Sequence, residues 1–202
     1  MHVFLLSPAY CGGRRATFLL RDGSKMALAQ RLLDGTLTLG EAFSFMSGLY
    51  FRGKLAYANR FTPAGQRAYV ITPTRGLQPP DLLVSADLLR EFATVDVKSD
   101  DRRYRQPLDG DLNRLAEELP GDARVVLLGS IATGKYTDAL TAVFGNRLHY
   151  PVVFVGRGDM SRGGLLLRCV GSGDELEYVP LGPPVTRHGA RPPKLPPLVR
   201  VS

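Results

Sequence analysis

The stretch VVLLGSIATGKYTDAL, residues 125–140, decides the fold. Its first four residues are aliphatic and uncharged, which is typical of a strand buried on both faces of a sheet. A glycine-containing loop then leads into a segment whose apolar spacing favours a helix. A strand, a loop and a helix in this order form the repeating unit of parallel α/β proteins.

Three further apolar runs resemble this strand. They cover residues 3–6, 68–71 and 152–155, and with residues 125–128 they predict four parallel strands. The segments between them have helical spacing and capping residues. We expect helices over residues 25–33, over 42–59 with breaks at Gly48 and Gly53, over 86–92, from Asp109 or Asp111 to Leu119, and over 135–144.

The C-terminal part of the sequence has a different pattern. Residues 165–170 and 175–179 flank the loop GSGD and predict a β-hairpin, and residues 180–202 form a proline-rich basic tail. The predicted fold is therefore a three-layer α/β domain over residues 1–179. It has a mainly parallel four-stranded sheet flanked by helices, a C-terminal β-hairpin and an extended tail.

Composition restricts the possible functions. The 202 residues are 44% hydrophobic, enough for one core, and the formal net charge of +7 favours a polyanionic partner. Two cysteines and three histidines argue against a disulfide scaffold or a structural metal, and we expect no cofactor. No apolar run approaches the roughly 18 residues of a membrane span, and the N-terminus lacks a basic leader. We therefore expect a cytoplasmic protein.

Residues 129–135, GSIATGK, have the spacing of a phosphate-binding P-loop. In that motif a Ser or Thr follows the lysine and reaches the magnesium ion, whereas Tyr136 stands here. Only about 65 residues follow the loop, about a third of them in the tail, which is too few for the rest of a P-loop sheet. The sequence therefore argues against an NTPase.

Each predicted strand ends in a loop with glycines or cationic residues, at residues 7–15, 72–77, 129–136 and 156–164. The carboxyl ends of parallel strands share one edge of a sheet, where α/β proteins bind ligands. Glycine permits close backbone approach, and arginine and lysine donate charge-assisted hydrogen bonds. The four loops together predict one polar, cationic crevice.

Three segments carry a family resemblance: VFLLSP at residues 3–8, YVITPTRGLQPPD at 69–81, and VLLG at 126–129 followed by Tyr136. They resemble small bacterial proteins related to the YaaA group. Over residues 1–168 the order of the strand-end loops is also similar to that of the uracil-DNA glycosylase superfamily. The resemblance implies a DNA partner and a base-excising enzyme, with modified or phage DNA bases as possible substrates and phage defence as a possible role.

The resemblance and the chemistry together suggest residue roles. Breaking an N-glycosidic bond builds positive charge on the sugar and negative charge on the base, which is first flipped out of the helix. The loop after the first strand has no acid, so the catalytic candidates are Asp159 and Glu41. Base-binding candidates are Tyr10, Arg75, Ser130, Lys135 and Tyr136. Candidates for binding DNA phosphates are Arg14, Arg15, Arg52, Lys54, Arg157 and Arg162.

Two alternatives stay open at this point. One is a nucleic-acid-binding protein without chemistry, and the other is an enzyme or sensor for small nucleotides. Tyr50 belongs to the suspected cluster around Glu41, Arg52 and Lys54, but the Phe and Met residues of that segment favour core packing.

Overall fold

The computed structural model describes residues 1–98, 100–182, 189–190, 192–193 and 195. Within them the chain forms one sheet of six strands, in the order β3-β2-β1-β4-β5-β6. The strands are β1 (His2–Leu6), β2 (Tyr69–Ile71), β3 (Leu77–Gln78), β4 (Arg124–Leu128), β5 (Leu148–Pro151) and β6 (Tyr178–Pro180). The four inner strands are parallel, and β3 and β6 are antiparallel to their neighbours at the two edges.

Helices cover both faces of the sheet. They are α1 (Arg14–Leu19), α2 (Ala27–Leu33), α3 (Leu39–Ser47), α4 (Leu49–Phe61), α5 (Ala86–Ala93), α6 (Arg102–Glu118), α7 (Gly134–Phe144) and α8 (Asp159–Ser172). Alternate residues of β1 serve the two faces: Phe4 and Leu6 pack with α3, α4 and α8, whereas Leu5 packs with α6 and α7. The predicted three-layer α/β class with a mainly parallel sheet is confirmed.

The fourth predicted strand is wrong in its position. The strand is β5, and the predicted residues instead form a 3-10 helix at Val152–Phe154. The parallel register pairs Val126 of β4 with His149 of β5, so the two strands end at the same level of the sheet. The chain leaves the sheet after Pro151. The β-branched run was misleading because it lies beyond the sheet, where Val152 and Val153 are partly exposed.

The predicted C-terminal hairpin is wrong for its first strand, because residues 165–170 lie inside α8. Arg162, Leu166 and Cys169 are buried at helical spacing, a pattern that a short apolar run does not reveal. An antiparallel pair does form at this end of the sheet, but it joins β5 with β6.

Helix boundaries follow their caps. Thr38 and Glu41 form the predicted capping box at the start of α3, and Gly48, with a φ of 65°, separates α3 from α4. Gly53 does not break α4. The α6 helix begins at Arg102 with Asp101 as its cap, about two turns or more before the predicted start at Asp109 or Asp111.

Most of the predicted tail lies outside the described residues. Its described part packs on the segment before α8: Arg157 Nη1 donates to Pro193 O at 3.4 Å, and any side chain at Gly156 would collide with the carbonyl of Ala190. Within the ranges that the structure describes, we find no helix with the length and hydrophobicity needed to cross a membrane.

Candidate functional site

A pocket of about 630 Å³ opens at the carboxyl edge of the parallel strands. Its walls come from the segment after β1, the loop between β4 and α7, the start of α8, and part of α4. The rim and wall include seven of the predicted site residues: Tyr10, Arg14, Arg15, Ser130, Lys135, Tyr136 and Asp159. The crevice predicted from the strand-end loops is thus present, with fewer arginines than expected.

The segment after β1 forms the mouth of the pocket. Tyr10 is 70% exposed, an unusual exposure for a large aromatic side chain. Arg14, the first residue of α1, lines the same pocket and stacks over the ring of Phe18, with 5.4 Å between the guanidinium carbon and the ring centre. Arg15 Nη1 donates to Phe45 O at 3.1 Å. This side of the pocket therefore carries both an exposed aromatic ring and guanidinium groups.

The P-loop-like segment lines another wall. Tyr136 is buried against the core, and Tyr104 Oη donates to Lys135 O at 2.9 Å, which ties the start of α7 to α6. Thr137, the next hydroxyl residue, donates from Oγ1 back to Thr133 O at 3.2 Å. In a P-loop the Ser or Thr hydroxyl directly after the lysine must be free to reach a magnesium ion. Here that position holds the buried ring of Tyr136, and the hydroxyl of Thr137 is bonded to the backbone, which agrees with the prediction that the protein is not an NTPase.

Asp159 is the first residue of α8, and its carboxylate lines the pocket with its side chain 70% exposed. Arg162 lies one turn further along α8 and is buried. Its guanidinium donates twice to Phe154 O, at 3.1 and 3.2 Å, and once to Asp159 Oδ1 at 3.4 Å. Arg162 is therefore fixed to the backbone, which contradicts its predicted role as a phosphate contact.

Lys54 also differs from its prediction. It is buried inside α4 with 1% exposure, so it cannot reach a DNA phosphate at the surface. Its Nζ donates to Ser7 O at 2.5 Å and to Ser7 Oγ at 2.8 Å. Burial lowers the pKa of Lys54 to about 7, and Asp159 offsets that effect only in part.

Tyr50 lies beside this lysine and lines the pocket. Lys54 Nζ is 4.4 Å from the centre of its ring. Burial raises the pKa of Tyr50, so the hydroxyl keeps its proton, and Arg162 acts on it in the opposite direction. The buried Oη has no hydrogen-bond partner of normal geometry among the described residues.

Four predicted residues lie elsewhere. Glu41 binds Arg31 through both oxygens, at 2.6 and 2.8 Å, and this pairing helps lower the pKa of its carboxyl to about 2. Arg75 pairs with Glu91 at 2.6 Å and faces a separate groove. Arg52 is exposed on α4, and Arg157 binds Val153 O, Ser161 and Pro193 O. None of these four residues lines the pocket.

Ser7 lines the pocket but is not among the predicted site residues. It follows β1 directly, in the segment SPAY, from which the sequence predicts only Tyr10 as a site residue. A polar residue at the first position after a buried strand is a usable signal, but the lysine beside it comes from a distant part of the chain. Among the described residues no cluster of three or more His, Cys, Asp or Glu could hold a metal.

We compared the chain with protein-family models, with curated proteins and with solved structures, and none of the three comparisons found a match.

Proposed function

We propose that the protein hydrolyses the N-glycosidic bond of a nucleotide in DNA and releases its base. The observation that carries the proposal is the lining of one pocket: an exposed aromatic side chain, Tyr10, at the mouth, and a carboxylate, Asp159, and an ammonium, Lys135, in its walls. An aromatic ring at the mouth gives a displaced base a stacking surface. Arg14 and Arg15 beside it suit the flanking phosphates.

The charges inside the pocket agree with the charges of the reaction. Asp159 would stabilise the positive sugar as the bond breaks, and Lys135 would stabilise the negative base. The hydroxyl of Tyr50, which has no hydrogen-bond partner of normal geometry among the described residues, adds a hydrogen-bond donor beside the pocket. A buried hydroxyl without a partner costs about 1–3 kcal/mol, and a ligand acceptor that reached it would remove that cost.

The pocket also favours a second candidate. Its volume of about 630 Å³ lies in the range typical of small-molecule sites, so a free nucleotide could be the substrate instead of DNA. The exposed ring of Tyr10 and the arginines Arg14 and Arg15 on the rim of the pocket favour DNA, because a nucleotide within a strand would bring further bases and phosphates to these residues.

The proposal is tested by incubating the purified protein with three DNAs, namely normal, uracil-containing and hypermodified DNA, and with the free nucleotides. Released bases are identified by mass spectrometry. We expect a base from at least one DNA, with release reduced by a factor of about 10² to 10³ in Asp159→Asn, the scale of losing one electrostatic group.

Asp96→Asn is the matched control, because Asp96 also lines the pocket but its exposed carboxylate pairs with Lys98. We expect it to release base at the wild-type rate. Release from free nucleotides alone would favour the second candidate, and an absence of release from every substrate would reject both.

A further inference from the structure

The contact between Ser7 and Lys54 joins the pocket to the buried core. Ser7 lines the pocket at the carboxyl end of β1, and Lys54 reaches it from the interior of α4. Nζ lies 2.8 Å from Ser7 Oγ, which is hydrogen-bond distance. The Ser7 hydroxyl donates to Leu128 O at 3.4 Å, a long hydrogen bond that the hydroxyl would leave when it turns to a neutral Lys54 amine.

The surroundings of Lys54 favour a neutral amine. Among the described residues no carboxylate lies within ion-pair distance of Nζ, and the rings of Tyr50 and Phe51 close around it at 4.4 and 4.9 Å. The charged groups that act on it are Asp159 and Arg162 on α8 and Lys135 on α7, two cations against one exposed carboxylate. Taking an ammonium out of water is costly, so burial favours loss of the proton.

A lysine whose role was only to stabilise the segment after β1 would need no contact beyond its hydrogen bond to the backbone carbonyl of Ser7. The second contact is to a hydroxyl that lines the pocket. A hydroxyl within hydrogen-bond distance of a desolvated amine, with that amine held by a third group, is the arrangement of an activated nucleophile. Here the third group is the carbonyl of Ser7 itself, at 2.5 Å.

We propose that Ser7 and Lys54 form the base that activates water in this pocket, with Ser7 touching the water and Lys54 acting through Ser7. This inference rests on the proposed function. The segment after β1 contains no carboxylate that could activate water, and the Ser7–Lys54 pair would take that role.

The water oxygen attacks the anomeric carbon of the sugar, and the C–N bond breaks, with its electron pair leaving on the base. The water gives one proton to Ser7 Oγ as the Ser7 hydroxyl proton passes to the neutral amine of Lys54. The ammonium of Lys54 then gives up this proton, directly or by way of solvent, and the departing base takes it, which returns the amine to its neutral form and leaves the base neutral.

The test measures single-turnover base release between pH 5.5 and 9 for wild type, Ser7→Ala, Lys54→Met and Ser47→Ala. Ser47→Ala is the matched control, because Ser47 lines the same pocket and has no role in the proposed step. We expect the wild-type rate to rise with pH through the Lys54 titration. Ser7→Ala and Lys54→Met should lose that rise and about 10² to 10⁴ in rate, the range of general base catalysis, and Ser47→Ala should keep both.

A fluorophosphonate that labels activated serines gives a readout that does not need the DNA substrate. We expect labelling of Ser7, located by peptide mass spectrometry, to increase through neutral pH and to be lost in Lys54→Met. If Ser7 is labelled in this way but wild type releases no base, the pair stands and the proposed function fails.

Full activity with an unchanged pH profile in Ser7→Ala, alongside a loss in Asp159→Asn, would keep the proposed function and overturn the pair. Absence of both labelling and the pH-dependent rise would also overturn it. DNA affinity and thermal stability, measured on the same variants, separate a folding defect in Lys54→Met from a chemical one.

Discussion

Gly53 and Gly163 lie in backbone contact where α4 crosses α8. A Cβ on Gly53 would come within 2.7 Å of the carbonyl oxygen of Gly163, closer than real Cβ atoms approach. This crossing sets the distance between the helix that carries Tyr50 and Lys54 and the helix that carries Asp159. The close approach of the two glycines therefore fixes the position of Tyr50 and Lys54 relative to Asp159.

Gly163→Ala should destabilise the protein by about 1–3 kcal/mol, the usual cost of forcing a methyl group into a packed interface. The new Cβ would meet Leu49 O at 2.6 Å, and neither backbone can move freely. Urea unfolding measures the effect. Gly171→Ala, in the same helix with open space around it, is the control and should be neutral or stabilising by up to about 1 kcal/mol. Equal stabilities of the two variants would contradict the prediction.

Lys54→Met should change stability in a pH-dependent way. The pKa of Lys54 is about 7 in the folded protein, well below that of the unfolded chain, about 10.4. Between these values only the unfolded state binds the proton. The wild-type free energy of unfolding therefore rises with pH there, by about 1.4 kcal/mol per pH unit from this group.

Denaturant unfolding of Lys54→Met and wild type at pH 6, 7, 8 and 9 measures this difference. We expect the free energy of unfolding of Lys54→Met, relative to that of wild type, to be highest at pH 6. The difference should fall steadily above pH 7, because only the wild-type value rises with pH through this group. Lys98→Met, an exposed lysine, is the control and should show no such trend. Parallel curves for Lys54→Met and wild type would mean that Lys54 keeps its ordinary pKa.

Glu41→Gln should lower stability by at most about 1 kcal/mol and leave base release unchanged. The carboxylate is about 39% exposed, so solvent screens its pair with Arg31. Its folded pKa of about 2 lies below the unfolded value near 4.3, so its contribution is present above about pH 4.5 and is lost as the pH falls towards 2. Thermal unfolding of variant and wild type should therefore converge in acid. A large loss of base release would return Glu41 to the catalytic candidates.

If the proposed function holds, Arg14→Ala should weaken DNA binding and reduce the slope of log affinity against log salt by about 1, because it would remove one phosphate contact. Fluorescence anisotropy with a short labelled duplex at several salt concentrations measures both quantities. Arg124→Ala is the control: Arg124 is exposed at the start of β4, the opposite edge of the sheet from the pocket. Identical slopes for the two variants would remove Arg14 from the DNA interface.

The sequence predicted the sheet edge on which the pocket lies, because charge-free runs and the loops that follow them are local patterns. Asp159, Tyr10 and Lys135 could be placed there for the same reason. Lys54 could not, because core packing was indicated only for the Phe and Met residues of its segment, and the burial of a lysine there depends on tertiary packing. The contact between Ser7 and Lys54 joins residues 47 positions apart, and no local pattern encodes it.

The two antiparallel edge strands have a consequence for behaviour at high concentration. The β3 strand has two residues and β6 has three, and each closes one side of the parallel sheet. Short edges offer another chain little unpaired backbone to extend, which is how natural sheets resist edge-to-edge aggregation. We therefore expect that deleting β6, which would expose all of β5, promotes self-association that light scattering can detect.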